Sequence, residues 1–68
     1  MREVKMKGDM IRLGQLLKLA DVVAAGSDVK GLLAEGVVTV NGEVETRRGR
    51  QLVTGDVVDA AGVQLRVV

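Results

Sequence analysis

The sequence predicts an α+β fold in which two short helices pack against one face of a small antiparallel sheet. Two segments with a helical spacing of apolar residues come first, and segments of alternating β-branched residues separated by glycine-containing turns follow them. Helices that precede hairpin-connected strands, rather than alternating with them, are typical of α+β domains. With 68 residues, the chain is long enough for one such domain.

Composition limits both the core and the chemistry. Hydrophobic residues make up 47% of the chain, but phenylalanine, tyrosine and tryptophan are absent, so small aliphatic residues and methionine must fill the core. The absence of cysteine excludes disulfides and thiolate metal sites and suits a reducing compartment. No apolar run approaches the roughly 20 residues of a membrane span, and the N-terminus lacks the pattern of a signal peptide. We therefore expect a cytoplasmic protein that does not enter membranes.

The N-terminal segment has a weak strand pattern. Val4 and Met6 alternate with charged residues until Gly8-Asp9 interrupts the pattern. This predicts a short edge strand or an arm over residues 1–9, followed by a single domain over residues 10–68.

The first helix is predicted to start at Met10. Its apolar residues follow the i, i+3, i+4, i+7 spacing and should face the core: Leu13, Leu16, Leu17 and Ala20. Arg12, Gln15 and Lys18 fall outside this stripe and should face water. Gly14 costs roughly 1 kcal/mol relative to alanine in an exposed helix interior, so tertiary packing must hold the helix.

The second helix is predicted to start near Gly26 or Ser27. The Ser27 hydroxyl can cap the helix, and Asp28 suits the positive end of the helix dipole. Gly36 fits the left-handed residue that commonly ends a helix, and Lys30 should point outward. The predicted inward face contains Val29, Leu32 and Leu33.

The clearest strand signal comes directly after this helix. Val38 and Val40 alternate with their neighbours in a β-branched run, and Asn41-Gly42 follows at once. This dipeptide tolerates the positive φ angles of a tight hairpin turn, so the chain should return through Val44. Turns at 54–56 and 61–62 then separate two more predicted strands, at 57–58 and 63–68.

The arginine loop (residues 47–50) carries the densest positive charge. Arg47, Arg48 and Arg50 fall within four positions without an intervening acid, although the formal net charge of the chain is only +1. Such a cluster attracts polyanions if it remains unpaired. The alternative is that the arginines pair with Glu43 and Glu45 on the preceding hairpin arm.

Two of the residue types most often used in catalysis are missing. The chain has no histidine and no cysteine, and its hydroxyl side chains have no evident base. Glu43 and Glu45 could form a carboxylate pair, but at a hairpin we expect both to be solvated. Neither a phosphate-binding glycine loop nor a calcium-binding loop is present. We therefore expect no enzymatic activity, no cofactor and no metal site.

An ordered set of residues covers about two-thirds of the chain: Arg12, Leu13, Leu17, then Leu32, Gly36, Val38, Val40, Asn41 and Gly42, and finally Gly55, Asp56 and Val58. In this order and spacing, the segment resembles the S-four RNA-binding domain, also called the αL motif. Val29 and Leu33 are close equivalents of the alanine and isoleucine usual in that family.

Three positions depart from the family pattern. Gly14 stands where the family has an aspartate, and Ala25 and Gly26 stand where it has Ser-Arg, so the usual cap and one phosphate-contacting arginine are missing. Within the family, a branch of short bacterial proteins, of the YbcJ and YaaA type, has the domain as the whole protein. The segments similar to that branch are Leu17-Lys18-Leu19, Lys30 and Glu45 to Arg50.

The resemblance implies a surface, formed by both helices and the neighbouring loop, that binds structured RNA. Without aromatic side chains the chain has no platform for stacking bases, so contacts with phosphates and groove shape remain. Arginine suits this role because its planar fork can donate to two phosphate oxygens. The candidate RNA-binding residues are Arg47, Arg48 and Arg50 as main anchors, with Arg12, Lys18 and Lys30 from the helices.

The partner implied is ribosomal RNA, transfer RNA or a ribosomal subunit, bound by a monomer. For the three helix residues, the alternative is an ordinary solvated face. For the whole chain, the alternative is a small protein-interaction module without nucleic-acid contact, whose mostly apolar docking would survive salt. DNA binding through the helix pair is a variant of the RNA hypothesis. A ubiquitin-like sulfur carrier would need a terminal Gly-Gly, whereas this chain ends Arg66-Val67-Val68.

Overall fold

The computed structural model describes residues 1–24 and 26–68, which contain two helices and seven strands. The helices are α1 (Leu13–Leu19) and α2 (Gly26–Ala34). The strands are β1 (Arg2–Val4), β2 (Ile11–Arg12), β3 (Val38–Val40), β4 (Glu43–Val44), β5 (Gln51–Leu52), β6 (Val57–Ala60) and β7 (Val63–Val67). The predicted α+β class is confirmed. Neither helix has the length and the apolar character that crossing a membrane requires.

Five strands form a sheet in the order β1-β7-β6-β3-β4, and β2 pairs with β5 in a separate ribbon. The pairs among β3, β4, β6 and β7 are antiparallel, as predicted. The prediction of a purely antiparallel sheet was wrong, because β1 pairs with β7 in parallel and places Val4 beside Val67. This pairing covers an edge of β7 that would otherwise be open. Nearly the whole chain separates the two strands, so no short turn sets their relative direction.

Helix α1 begins three residues later than predicted. Met10 lies before the helix, and Ile11 and Arg12 pair with Leu52 and Gln51 in the β2–β5 ribbon. The local period of apolar residues could not reveal this pairing, which depends on a segment far along the chain, at Gln51 and Leu52. The predicted apolar stripe itself is confirmed as buried: Leu13, Leu16, Leu17 and Ala20.

Helix α2 begins at Gly26, as predicted, and Gly36 follows its end with a φ of 73°. The predicted inner face packs against the core: Val29, Leu32 and Leu33. The predicted capping role of Ser27 concerns a side chain that lies outside the described residues.

The core that joins the helices to the sheet is entirely aliphatic. Its largest fully buried side chains are Leu13, Leu16, Leu17, Leu33, Leu52, Leu65, Val29, Val38, Val40, Val58 and Val67. Burying one such side chain stabilises the fold by roughly 1.5–3 kcal/mol. Since no aromatic residue is present, stability depends on many contacts of this size.

A polar network ties the β3–β4 hairpin to the turn before β6. Asn41 and Gly42 have φ angles of 52° and 88°, which confirms the predicted tight turn. The Asn41 side chain donates to Asp56 Oδ1 at 3.1 Å and accepts the Val57 N–H at 2.9 Å. Asp56 Oδ2 accepts the Val53 N–H at 2.9 Å. Asn41 and Asp56 therefore hold two separate turns in one arrangement.

We predict that Asp56→Ala lowers the free energy of unfolding by about 1–2 kcal/mol, because the Asn41 amide and the Val53 N–H each lose an acceptor. Urea denaturation measures the effect. Asp9→Ala is the control, because Asp9 is exposed and its side chain makes no hydrogen bond within the described residues. Equal stability of the two variants would contradict the prediction.

Candidate nucleic-acid interface

The arginine loop lies against the first turn of α1. The Leu13 N–H donates to the carbonyl oxygen of Arg50 at 2.8 Å, and the Gly14 N–H donates to that of Arg48 at 2.9 Å. The first N–H groups of a helix have no partner within the helix, so the loop satisfies two of them. These two bonds bring together a helix near the start of the chain and a loop that follows β4.

Gly14 permits this close approach. A Cβ atom at this position would lie 3.4 Å from the carbonyl oxygen of Arg48 and 3.5 Å from Val29 Cγ1. These distances leave room for a methyl group, but a longer side chain would press on the loop or on α2. Packing therefore restricts this position to a small residue, although it does not require glycine rather than alanine.

Beside these contacts, residues of α1 and of the arginine loop line a cleft of about 120 Å³. Its lining residues are Arg12, Gly14, Gln15, Lys18, Arg48 and Gly49. Arg12 Nη1 donates to the carbonyl oxygen of Gly49 at 3.3 Å, which holds its guanidinium beside the loop. Arg12, Lys18 and Arg48 are exposed, and within the described residues none of the three forms an ion pair. The structure thus brings three of the candidate residues together.

Glu45 is buried beneath the arginine loop. Only 7% of the residue is exposed, and its two carboxylate oxygens accept five hydrogen bonds. Oε2 accepts the backbone N–H groups of Thr46 and Arg47 and the Arg47 Nε–H, at 3.0–3.1 Å. Oε1 accepts Arg47 Nη2 at 3.1 Å and Arg50 Nη1 at 2.9 Å. The prediction of a solvated Glu45 was wrong, whereas Glu43 is exposed as expected.

The alternative considered for the three arginines was pairing with a glutamate of the preceding hairpin arm, and it holds for two of them. Arg47 and Arg50 pair with Glu45, while Arg48 remains unpaired within residues 1–24 and 26–68. Two guanidinium groups share one carboxylate, so Arg47, Arg50 and Glu45 together keep one net positive charge. The Arg47 side chain is still 74% exposed and the Arg50 side chain 36% exposed.

These contacts shift the pKa values of the ion pair. The Arg47 side-chain hydrogen bond, followed by the Arg47 backbone N–H and the Arg50 side chain, lowers the pKa of Glu45 to about 2. The Glu45 carboxylate in turn raises the pKa of Arg47 above its ordinary value. Both groups are therefore charged at neutral pH.

The paired arginines border a second, open recess of about 500 Å³, lined by Arg47, Gly49, Arg50 and Gln51. Gly49 lines both this recess and the cleft, so the two lie on either side of the same residue of the loop. We call their combined lining the basic face: Arg12, Lys18, Arg47, Arg48 and Arg50, with Gly14, Gln15, Gly49 and Gln51.

Lys30 does not join the basic face. It is exposed on α2, but it lines neither the cleft nor the recess. Glu45 was not among the candidate site residues predicted from the sequence, although its pairing with the arginines was the alternative considered for the loop. Its signal was a glutamate at the end of a hairpin arm, followed two and five residues later by arginines.

Within the described part of the chain, no group of three metal-ligating side chains is present.

Comparison with known proteins shows which family this chain is similar to. The sequence profile described as "S4 domain", the family that the motif resembled, matches residues 4–68. A Bacillus subtilis (strain 168) protein named "Probable ribosome maturation protein RlbA" is 49% identical over 59 residues, which cover 87% of this chain and 83% of that protein. YbcJ of Escherichia coli (strain K12) is 41% identical over 58 residues, covering 85% of this chain and 83% of YbcJ.

A solved structure agrees with these sequence matches. The solution structure of E. coli YbcJ matches the present fold with a TM-score of 0.76 at 38% identity. The match covers 100% of this chain and 87% of that chain. The YbcJ structure is described as revealing an αL motif involved in RNA binding.

We predict that Glu45 makes the stability of the protein depend on pH in the acid range. Its pKa of about 2 in the folded protein lies below the ordinary value of 4.5, so the unfolded chain takes up the proton first as pH falls. The stabilisation from Glu45 should be complete above about pH 4.5 and should disappear as pH falls toward 2. Urea denaturation over this range, for the wild type and Glu45→Gln, should give free energies of unfolding that converge at the acid end.

Glu43→Gln is the matched control for this measurement. It removes the same charge from an exposed glutamate two residues earlier on the same arm. Its profile should follow that of the wild type. A constant gap between wild type and Glu45→Gln at every pH would contradict the prediction.

Proposed function

The chain belongs to the S4 domain family, and on that basis we propose that it is a non-catalytic RNA-binding protein. In this proposal the basic face binds structured RNA through contacts with phosphates and with groove shape. The protein acts in the cytoplasm as a monomer. Lys30 is a candidate for a separate contact, on a part of the RNA that extends across α2.

The clustering of cations around Gly49 is the observation that carries the proposal. Gly49 lines both the cleft, which contains Arg12, Lys18 and Arg48, and the recess, which contains Arg47 and Arg50. Among the residues that line them, none is acidic, and Glu45 beneath the loop offsets one of the five positive charges. A local excess of positive charge in a chain with a net charge of only +1 favours a polyanionic partner.

The side chains of the basic face favour backbone recognition over base reading. Arginine and lysine are the usual partners of phosphate oxygens, and the arginine fork can donate to two oxygens at once. Sequence-specific reading of single strands usually relies on aromatic side chains that stack on bases, and this chain has none. Structured RNA, which presents phosphates in a fixed arrangement, therefore fits the face better than an unstructured strand.

The relatives suggest which RNA is bound. RlbA carries the name of a ribosome maturation protein, and YbcJ is described with an RNA-binding motif. We therefore propose ribosomal RNA or a ribosomal subunit as the partner, ahead of transfer RNA. Sequencing of RNA crosslinked to the protein in cells tests this choice, because ribosomal fragments should be enriched over transfer RNA.

One observation favours the alternative of a protein-interaction module. A groove of about 290 Å³ is lined by Lys7, Met10, Ile11, Gln15 and Leu19, and Leu19 is 56% exposed. Binding through this groove would be mostly apolar and would change little with salt. Binding through the basic face would weaken steeply as salt rises.

We predict that the double variant Arg12→Ala, Arg48→Ala weakens binding to an RNA hairpin and flattens its salt dependence. The slope of log affinity against log salt should fall by about 0.7–0.9 for each phosphate contact that the variant removes. Arg12 and Arg48 are chosen because neither pairs with Glu45, so their removal leaves the buried ion pair intact. Fluorescence anisotropy over a series of salt concentrations measures the slope.

Arg66→Ala is the control for charge removal. Arg66 is exposed on β7, which two strands separate from β4 at the edge of the sheet. The control should leave the slope near the wild-type value. An unchanged slope in a folded double variant would count against the basic face, and salt-independent RNA binding would count against phosphate recognition altogether.

A further inference from the structure

We propose that Glu45 is a positioning residue: by holding Arg47 and Arg50 in one arrangement, it makes the basic face prefer folded RNA to an unstructured strand. This inference rests on the proposed function and adds a source of selectivity within the same face. It assigns to a buried acid, which cannot itself attract phosphate, a role in choosing the class of RNA.

The position of Glu45 is itself well determined. Its backbone N–H donates to the carbonyl oxygen of Val38 at 3.0 Å, directly after β4. Its side chain is nearly free of water, with 7% of the residue exposed. The backbone of Glu45 is therefore anchored to the sheet, and its carboxylate is largely shielded from solvent.

From this position, Glu45 restrains both arginines. Arg47 makes a two-point contact, with Nε on Oε2 and Nη2 on Oε1, each at 3.1 Å. Arg50 adds Nη1 on Oε1 at 2.9 Å. Two-point contacts between arginine and carboxylate set orientation as well as distance. The side chains are thus oriented before any ligand arrives.

The same contacts leave donors available for phosphate. A guanidinium group has five N–H donors, and Glu45 engages only one edge of Arg47 and one nitrogen of Arg50. Within the described residues, the side-chain hydrogen bonds of both arginines go to Glu45 alone. The 74% exposure of the Arg47 side chain makes its remaining donors accessible.

The backbone of the loop is restrained as well. The Arg50 N–H donates to the carbonyl oxygen of Arg47 at 3.3 Å, and the carbonyl oxygens of Arg48 and Arg50 accept N–H groups of α1. Backbone and side chains together therefore present cations at set distances from one another.

Such a rigid arrangement discriminates between flexible and folded polyanions. A folded RNA gains most when the cations already match its phosphate spacing, because no ordering of long side chains is then required on binding. An unstructured strand adjusts its own backbone to either rigid or mobile cations, so it gains little from their order. Loss of Glu45 should therefore reduce the preference for folded RNA rather than RNA binding in general.

The test compares Glu45→Gln with Glu43→Gln. Both variants remove one negative charge from the same hairpin arm, but Glu43 is exposed and makes no side-chain hydrogen bond within the described residues. The probes are an RNA hairpin and an unstructured oligouridylate of equal length, each titrated by fluorescence anisotropy at one salt concentration. The readout is the ratio of the two dissociation constants.

We expect the ratio for Glu43→Gln to equal that of the wild type, with both affinities slightly higher because a repelling charge is gone. For Glu45→Gln, we expect the preference for the hairpin to fall on the order of tenfold, as two arginines lose their fixed orientation. Equal ratios for the two variants would overturn the inference. Failure of the wild type to bind either RNA would instead overturn the proposed function.

A second measurement does not depend on the folding of any variant. The ¹⁵N heteronuclear NOE of the Arg47 Nε–H in the free wild-type protein reports how rigid that side chain is. It should exceed that of the exposed Arg66, whose side chain makes no hydrogen bond within the part of the chain that is described. Equal mobility of the two would show that Glu45 does not position Arg47, and would overturn the inference.

Discussion

Two main-chain hydrogen bonds between α1 and the arginine loop hold the basic face together. They run from the N–H groups of Leu13 and Gly14 to the carbonyl oxygens of Arg50 and Arg48. A helix must satisfy the first N–H groups of its backbone, and here a loop rich in arginine does so. The same bonds therefore complete α1 and place the arginine loop beside it, so that Arg48 lines one cleft with Arg12 and Lys18. Gly14 lies at this contact, where an added Cβ atom would already be 3.4 Å from the carbonyl oxygen of Arg48.

The Glu45 carboxylate reduces the repulsion between the clustered arginines. Several cations in a small volume repel one another, and a buried carboxylate is costly unless it is paired and hydrogen-bonded. Glu45 meets both conditions through Arg47, Arg50 and the N–H of Thr46. The pairing weakens the attraction of the loop for phosphate, but it also orders two long side chains. The arginines therefore differ. Arg48 is unpaired within the described residues and keeps its full positive charge, whereas Arg47 and Arg50 are oriented by their ion pairs with Glu45.

The absence of aromatic residues links the core to the mode of recognition. Inside, aliphatic side chains alone join the helices to the sheet, so the scaffold depends on close packing of leucine and valine. Outside, no ring is available to stack on a base, so the proposed RNA binding relies on the arrangement of charged side chains. The selectivity of such a surface depends on how rigidly the fold holds its charged side chains. The polar network of Asn41 and Asp56 and the docking of the loop on α1 both contribute to that rigidity.

The sequence by itself determined what short-range physics controls: the buried face of α1, the Asn41-Gly42 hairpin, the order of motif residues that indicates the family, and the arginine loop. Only the tertiary structure decided the features that depend on residues far apart in sequence. These are the parallel pairing of β1 with β7, the start of α1 after the β2–β5 ribbon, and the burial of Glu45. The tertiary structure also decided that Arg12, Lys18 and Arg48 line one cleft, and that Lys30 does not line it. Composition reveals which charges a chain carries, but their pairing is set by distances of a few ångströms that only packing of the whole chain determines.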